Sequence, residues 1–262
     1  MDTNTMEATK KTPSTPRVLL IFDFDWSLIN EDSDAYVASQ LWPTAERDAP
    51  EFYSTFAREA DQPQEEIDCP TLFSRFMKKM VEHKPELSRE DVIHAIQRIP
   101  VQPRMIDAVH TAVREHDAHV AIVSNANTVY INAWLDHHGL HHLIRDVVTN
   151  PAEFDESSSV LHVRPYCSEG HNCPWCPVNM CKGRIVEELR RRIAPTERVI
   201  YVGDGGNDFC PATILESSDV ILARADDKNN LLTKIRNHAH RVKAEVVPWS
   251  TGQDVFDFFV QS

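Results

Sequence analysis

Four apolar, β-branched runs punctuate the chain: VLLIFD from Val18 to Asp23, HVAIVSN from His119 to Asn125, RVIYVGD from Arg198 to Asp204 and DVILA from Asp219 to Ala223. Their apolar residues are consecutive rather than alternating, which predicts strands buried on both faces. Between them, MIDAVHTAVREH and GRIVEELRRRI carry apolar residues at helical spacing. Such strands alternating with helices predict an α/β fold with a parallel sheet covered on both sides. In sheets of this kind ligands gather beyond the strand carboxyl ends, where strand order reverses. Asp23, Ser124 and Asp204 end or nearly end three of the runs, so they are expected to converge.

Between the first and second runs strand character is scarce. Leu72, Phe73, Phe76, Met77, Met80 and Val81 recur at helical spacing, and SREDVIHAIQRI opens on Ser88 as an N-cap with Asp91 three residues on. This predicts a helical insertion over residues 31–103, closed off near Pro100 and Pro103, with the Phe/Met stripe as its packed interior. Residues 17–30 and 104–262 then form the sheet-bearing core, and residues 1–16 read as a flexible leader.

Composition narrows the partners. Across 262 residues, 27 basic against 40 acidic side chains give a net charge of -13. That argues against duplex nucleic acid or an anionic membrane as the main partner, so a phosphate-bearing ligand must be drawn in locally. The N-terminal stretch lacks the apolar core of a secretory signal and no run approaches a membrane span, which predicts a cytoplasmic protein. Its six cysteines are then reduced thiols or metal ligands rather than a disulfide framework.

The first run ends in a crowd of acids: VLLIFDFDWSLINEDSD carries Asp23, Asp25, Glu31, Asp32 and Asp34. Carboxylates this close repel each other and lose water near a strand end, so a divalent cation is the expected compensator. Glu31 and Asp32 also suit a helix start, where acids favour the dipole.

DFDWS at one strand end, VSN at the next, the lysine of NMCKG at a helix start and GDGGNDF at a later strand together resemble the haloacid dehalogenase superfamily. The resemblance implies a Rossmannoid three-layer core with a parallel sheet and a helical cap inserted between the first two motifs. It further implies phosphoryl transfer, in which the protein places a nucleophile in line and neutralises charge. Asp23 would be the nucleophile, forming an aspartyl-phosphate, and Asp25 the acid and base. Mg²⁺ would be held by Asp23, Asp204 and the backbone carbonyl of Asp25, with Asp208 acting through water or by holding the loop. Ser124 would donate to a phosphoryl oxygen, and Lys182 would bridge nucleophile and phosphoryl group.

NEDSD, SNAN, RPY, HNCPWCPVNMCK, YVGDGGNDFCP and VVPW narrow the resemblance to the phosphoethanolamine/phosphocholine phosphatase family, with its pyridoxal-phosphate phosphatase and pyrophosphatase-like relatives. This implies an Mg²⁺-dependent hydrolase of small phosphomonoesters, with phosphocholine- or phosphoethanolamine-like substrates first and pyridoxal phosphate or pyrophosphate as the alternative. Asn125 stands where the family commonly has an aspartate facing the substrate's cationic group, which weakens the amine assignment and leaves the phosphatase assignment intact. Asp34, Ser124 and Asn125 are the substrate-binding candidates, and Trp26 either lies against the substrate or packs on the cap. Cys167, Cys173, Cys176 and Cys181 either bind structural Zn²⁺ or are buried thiols shaping the loop that delivers Lys182. A reading from another class is a zinc-binding interaction module without catalysis. Oligomeric state is not legible.

Overall fold

The computed structural model describes residues 17–50, 69–193, 195–226 and 230–261; the expected leader at 1–16 lies outside the described residues. The strands among them are β1 (Val18–Phe22), β2 (Ala118–Asn127), β3 (Ile144–Asn150), β4 (Ala152–Phe154), β5 (Leu161–Val163), β6 (Arg198–Gly203), β7 (Val220–Arg224) and β8 (Glu245–Trp249). Six form a parallel sheet in the order β3-β2-β1-β6-β7-β8, while β4 and β5 pair as an antiparallel hairpin. The chain runs outward from β1 to β3 and then returns to β6 on the other side of β1. That reversal sets the ends of β1, β2 and β6 side by side, with Phe22 in register with both Ile122 and Val202.

Strand β1 is apolar throughout because both of its faces are covered. Val18, Leu20 and Phe22 enter one hydrophobic cluster, Leu19 and Ile21 the other. The α-helices among the described residues are α1 (Ser33–Leu41), α2 (Ala45–Asp48), α3 (Cys69–His83), α4 (Arg89–Gln97), α5 (Met105–His116), α6 (Thr128–His137), α7 (Lys182–Ile193), α8 (Phe209–Ile214), α9 (Leu231–Asn237) and α10 (Gly252–Gln261). Met105 and Val109 of α5, Trp134 of α6 and Val255 and Phe259 of α10 fill the first cluster. Ile185 and Leu189 of α7, Phe209 of α8 and Leu231 of α9 fill the second. The result is a helix–sheet–helix sandwich of three layers. No described helix is long and apolar enough to cross a membrane.

The stretch between β1 and β2 is helical where it is described. Phe73, Phe76, Met77 and Met80 of α3 are buried, and α4 begins with a reciprocal capping box between Ser88 and Asp91. Entry and exit are stitched together: Asn30 N donates to Pro100 O at 2.8 Å and Ile29 bridges Val101. These helices do not enclose a separate core, since Phe73, Phe76, Met77 and Met80 belong to the same cluster as Phe22 and Trp134. They also grip the β4–β5 hairpin, which lies outside residues 31–103. Ser74 Oγ accepts from Val163 N at 2.8 Å, and Arg89 donates to the Glu156 carbonyl at 2.9 Å and the Ser158 carbonyl at 3.2 Å.

Candidate active site

Asp23 follows β1 but is still tied to the sheet, its amide donating to Val202 O at 2.9 Å. The chain then closes a wide turn in which Leu28 N reaches Asp23 O at 3.3 Å and Ile29 N reaches Phe24 O at 3.0 Å. Inside it Asp25 is extended (ψ 135°) and Trp26 is left-handed (φ 53°). A bulky aromatic there is strained by about 1–3 kcal/mol. The detour brings the Asp25 carboxylate to the start of α1. The Asp25 carboxylate accepts from Ser33 N at 2.9 Å, at the start of α1, whose cap is Asp32 accepting from Ala35 N at 2.8 Å.

Lys182, the first residue of α7, has no exposed surface. Its Nζ donates to Asp23 Oδ2 at 2.6 Å and to Asp208 Oδ1 at 2.8 Å. Asp208 Oδ1 also accepts from Tyr201 Oη at 2.7 Å, and Oδ2 accepts from the amides of Asp204 and Gly205, each at 3.0 Å. Four donors use the full capacity of that carboxylate, so it braces the loop. Asp204, in contrast, borders the cavity and accepts from Ser27 Oγ at 3.2 Å.

Burial sets the electrostatics. It pushes Asp23 up to about 6, Lys182 opposing it and Asp208 adding to it. Burial, then Asp208 and Asp23, hold Asp204 well above the ordinary carboxylate range. Asp25 is likewise raised by burial, then by Asp32, Asp34 and Asp23, which favours its proton-bearing form. At Lys182 burial works against the charge, but Asp208 and Asp23 outweigh it and keep the amine protonated. Asp23, Asp204 and Asp208 present oxygens within 4.8 Å of one another, against which the buried Lys182 is one positive charge. The surplus of buried negative charge, with Asp23 and Asp204 still open to the cavity, fits a hard divalent cation such as Mg²⁺.

A cavity of about 580 Å³ opens over this floor, bordered by Asp23, Asp25, Trp26, Asp32, Ser124, Asn125 and Asp204 and walled by Trp175, Val178 and Lys234 among others. Ser124, nearly fully buried, accepts from Ala126 N at 3.2 Å. Asn125 is held from two sides, its carbonyl by Asn150 Nδ2 at 2.6 Å and its side-chain oxygen by Asn207 Nδ2 at 3.1 Å. Lys182 and Asp208 lie behind the floor. Asp34 does not border the cavity; its Oδ1 is buried without a hydrogen-bond partner, and Asp32 occupies the wall instead. Cys167 also stands apart: its thiol donates to the Gly170 carbonyl at 3.4 Å, while the sulfurs that converge belong to Cys173, Cys176, Cys181 and Cys210.

Several contributors escape a reading by sequence. Ser27 and Asn207 are ordinary loop residues until the fold brings them to Asp204 and Asn125. Asn150 clamps the end of β2 to the amide of Tyr166 and to Asn179 Nδ2, each at 3.0 Å. Tyr201 alone left a signal, as the one hydroxyl in an otherwise aliphatic buried strand.

A doubly wound parallel sheet with a buried aspartate–lysine pair at its reversal point is the α/β arrangement that the resemblance to the haloacid dehalogenase superfamily implies. The chain belongs to the family described as "Putative Phosphatase", whose model matches residues 18–262. It is 30% identical over 244 residues to "Inorganic pyrophosphatase 2" of Arabidopsis thaliana, covering 91% of this chain and 81% of that protein. It is 30% identical over 249 residues to the "Phosphoethanolamine/phosphocholine phosphatase" of Homo sapiens, covering 92% and 87%. In fold it is similar to a solved phospho-aspartyl intermediate analogue of phosphoserine phosphatase, with a TM-score of 0.59 at 16% identity over 94% of this chain and 99% of that one. The protein is therefore a phosphoric monoester hydrolase of haloacid dehalogenase type.

Proposed function

We propose that this phosphatase hydrolyses small phosphomonoesters through Asp23, with phosphocholine- and phosphoethanolamine-like substrates first. The observation that carries this is the 2.6 Å bond from buried Lys182 to an Asp23 that still borders the cavity. Asp23 attacks phosphorus in line and the leaving oxygen takes the Asp25 proton; Asp25 then accepts a proton from the water that hydrolyses the aspartyl-phosphate. Ser124 Oγ donates to a phosphoryl oxygen, and Lys182 neutralises charge on the nucleophile. Mg²⁺, held by Asp23, Asp204 and the Asp25 carbonyl, would supply electrostatic stabilisation of the transferring group. Asp208 holds that loop in place. Residues 17–30 and 104–262 act as the catalytic core and 31–103 as a helical cap, and the six free thiols support a cytoplasmic setting.

Asp32 on the wall supports a cationic leaving group, while of the two rings that share the lining Trp26 already faces Arg224 and Trp175 already faces Lys234 and Arg241. Asp34 does not border the cavity, and burial, then Asp32, hold its carboxyl well above the ordinary carboxylate range. A second reading, pyrophosphate or pyridoxal phosphate, is favoured by Lys234 on the same wall and by Asn125 in place of a carboxylate. Relative kcat/KM over a panel with Mg²⁺ decides between them. Phosphocholine and phosphoethanolamine should lead, and Asn125→Asp should raise them a further few-fold to tenfold, as about 1 kcal/mol of added charge attraction implies. Pyrophosphate leading the panel, with Asn125→Asp leaving the ratios flat, would remove the amine reading. Activity unaffected by EDTA would remove the metal.

A further inference from the structure

Four sulfurs from three segments meet beside the first turn of α7. Cys173 and Cys176 come from the loop that carries Trp175, Cys181 directly precedes Lys182, and Cys210 lies on α8 two residues after Asp208. All four lie within 4.8 Å of one another, with Cys173 Sγ 3.5 Å and Cys181 Sγ 3.9 Å from Cys210 Sγ. A tetrahedral zinc tetrathiolate with Zn–S of about 2.3 Å has sulfur–sulfur edges of about 3.8 Å. The observed spacing is that of such a shell.

The surroundings are shaped for it. His171 is excluded as a ligand, because Nδ1 accepts from Cys173 N at 3.2 Å and Nε2 donates to Pro177 O at 2.8 Å; its ring braces the Cys173–Cys176 loop instead. Backbone amides of Lys182 and Arg184 face Cys176 and Cys181, as amides do around thiolates. A side chain at Gly183 would place Cβ 2.5 Å from Cys210 Sγ, so glycine there leaves that sulfur its place. Cys181 and Cys210 are buried and Cys173 and Cys176 partly so, which suits a closed structural site without an open position for water.

We propose that Cys173, Cys176, Cys181 and Cys210 bind one structural Zn²⁺ as thiolates. The ion replaces four thiol protons and ties the Trp175 wall of the cavity to the helix start that delivers Lys182 and to the loop braced by Asp208. The site is distinct from the carboxylate cluster, and Cys210 rather than Cys167 is its fourth ligand.

The test is elemental analysis of full-length protein kept reduced and dialysed against buffer containing trace zinc. About one zinc per chain is expected, released in step with mercurial titration of four thiols. The cobalt-substituted protein should show the intense visible bands and near-ultraviolet charge transfer of a tetrahedral tetrathiolate. Cys167→Ser should retain metal and spectrum, whereas Cys210→Ser should lose them. Asp23→Asn, inactive by the reading above, should carry the same zinc, so failure of either reading is seen separately. Wild-type protein that takes up no zinc, a cobalt spectrum without thiolate charge transfer, or zinc lost from Cys167→Ser and kept in Cys210→Ser would overturn the proposal. The wild-type zinc content and cobalt spectrum decide it even where Cys210→Ser fails to fold.

Discussion

Two clusters flank the first turn of α7, one of oxygens and one of sulfurs. Asp23, Asp204 and Asp208 crowd on one side and are met by an internal cation, Lys182. On the other side Cys173, Cys176, Cys181 and Cys210 contact each other and backbone groups. The oxygen cluster can stand without its metal because Lys182 offsets part of the charge and Asp208 is saturated with donors. It also stays open to the cavity, as a site that must admit phosphate has to. The sulfur cluster is closed, and its thiols are pulled in opposite directions. Burial and the neighbouring thiols accordingly hold Cys181 up at about 11, while the Cys210 thiol and the Lys182 amide draw Cys176 down to about 6. One helix start thus borders both a candidate catalytic site open to the cavity and a closed group of sulfurs.

The comparison is broken most severely at Asp23. Asp23→Asn keeps the shape and removes the proposed nucleophile, so turnover should fall on the order of 10⁴-fold or more while the circular dichroism spectrum is kept. Activity within tenfold of wild type would show that another group attacks phosphorus.

Lys182→Met probes the internal cation. It strands Asp23 and Asp208 without their buried partner, so urea unfolding should show a loss of about 3–5 kcal/mol together with loss of turnover. Added Mg²⁺ should recover part of that stability, because the ion replaces some of the missing positive charge. A variant as stable as wild type without Mg²⁺ would mean that the carboxylates relax without the lysine.

The smallest effect is expected at Tyr201→Phe. It removes one of the four donors on Asp208 and leaves the other three, so stability should drop by about 1 kcal/mol and kcat by a few-fold, with zinc content unchanged. A drop of several hundredfold would mean that Tyr201 positions Lys182 directly rather than only bracing Asp208.

Much of the architecture was legible because its signals are local. The runs at β1, β2, β6 and β7 read as strands since both faces of each are buried, and Ser88 with Asp91 marked the start of α4 through a contact three residues long. Strands β3 and β8 gave no comparable run. They are the two edges of the sheet, partly exposed, so IRDVVTN and EVVPW need not be apolar throughout. The hairpin of β4 and β5 was equally silent, its strands being three residues each and held from outside by Ser74 and Arg89.

The sequence by itself determined which chemical groups are available: an aspartate after a buried strand, a second two residues on, a lysine opening a helix and a glycine-rich acidic loop. Those choices are written in residue type and short spacing, and local backbone physics is enough to read them. Tertiary structure alone decided which groups meet. Ser27 reaches Asp204 across 177 positions and Lys182 reaches Asp23 across 159. Asp32 rather than Asp34 stands on the cavity wall, and Cys210 rather than Cys167 completes the sulfur cluster. The order of the strands in the sheet sets such distances, and that order depends on how the two hydrophobic clusters pack across the whole chain.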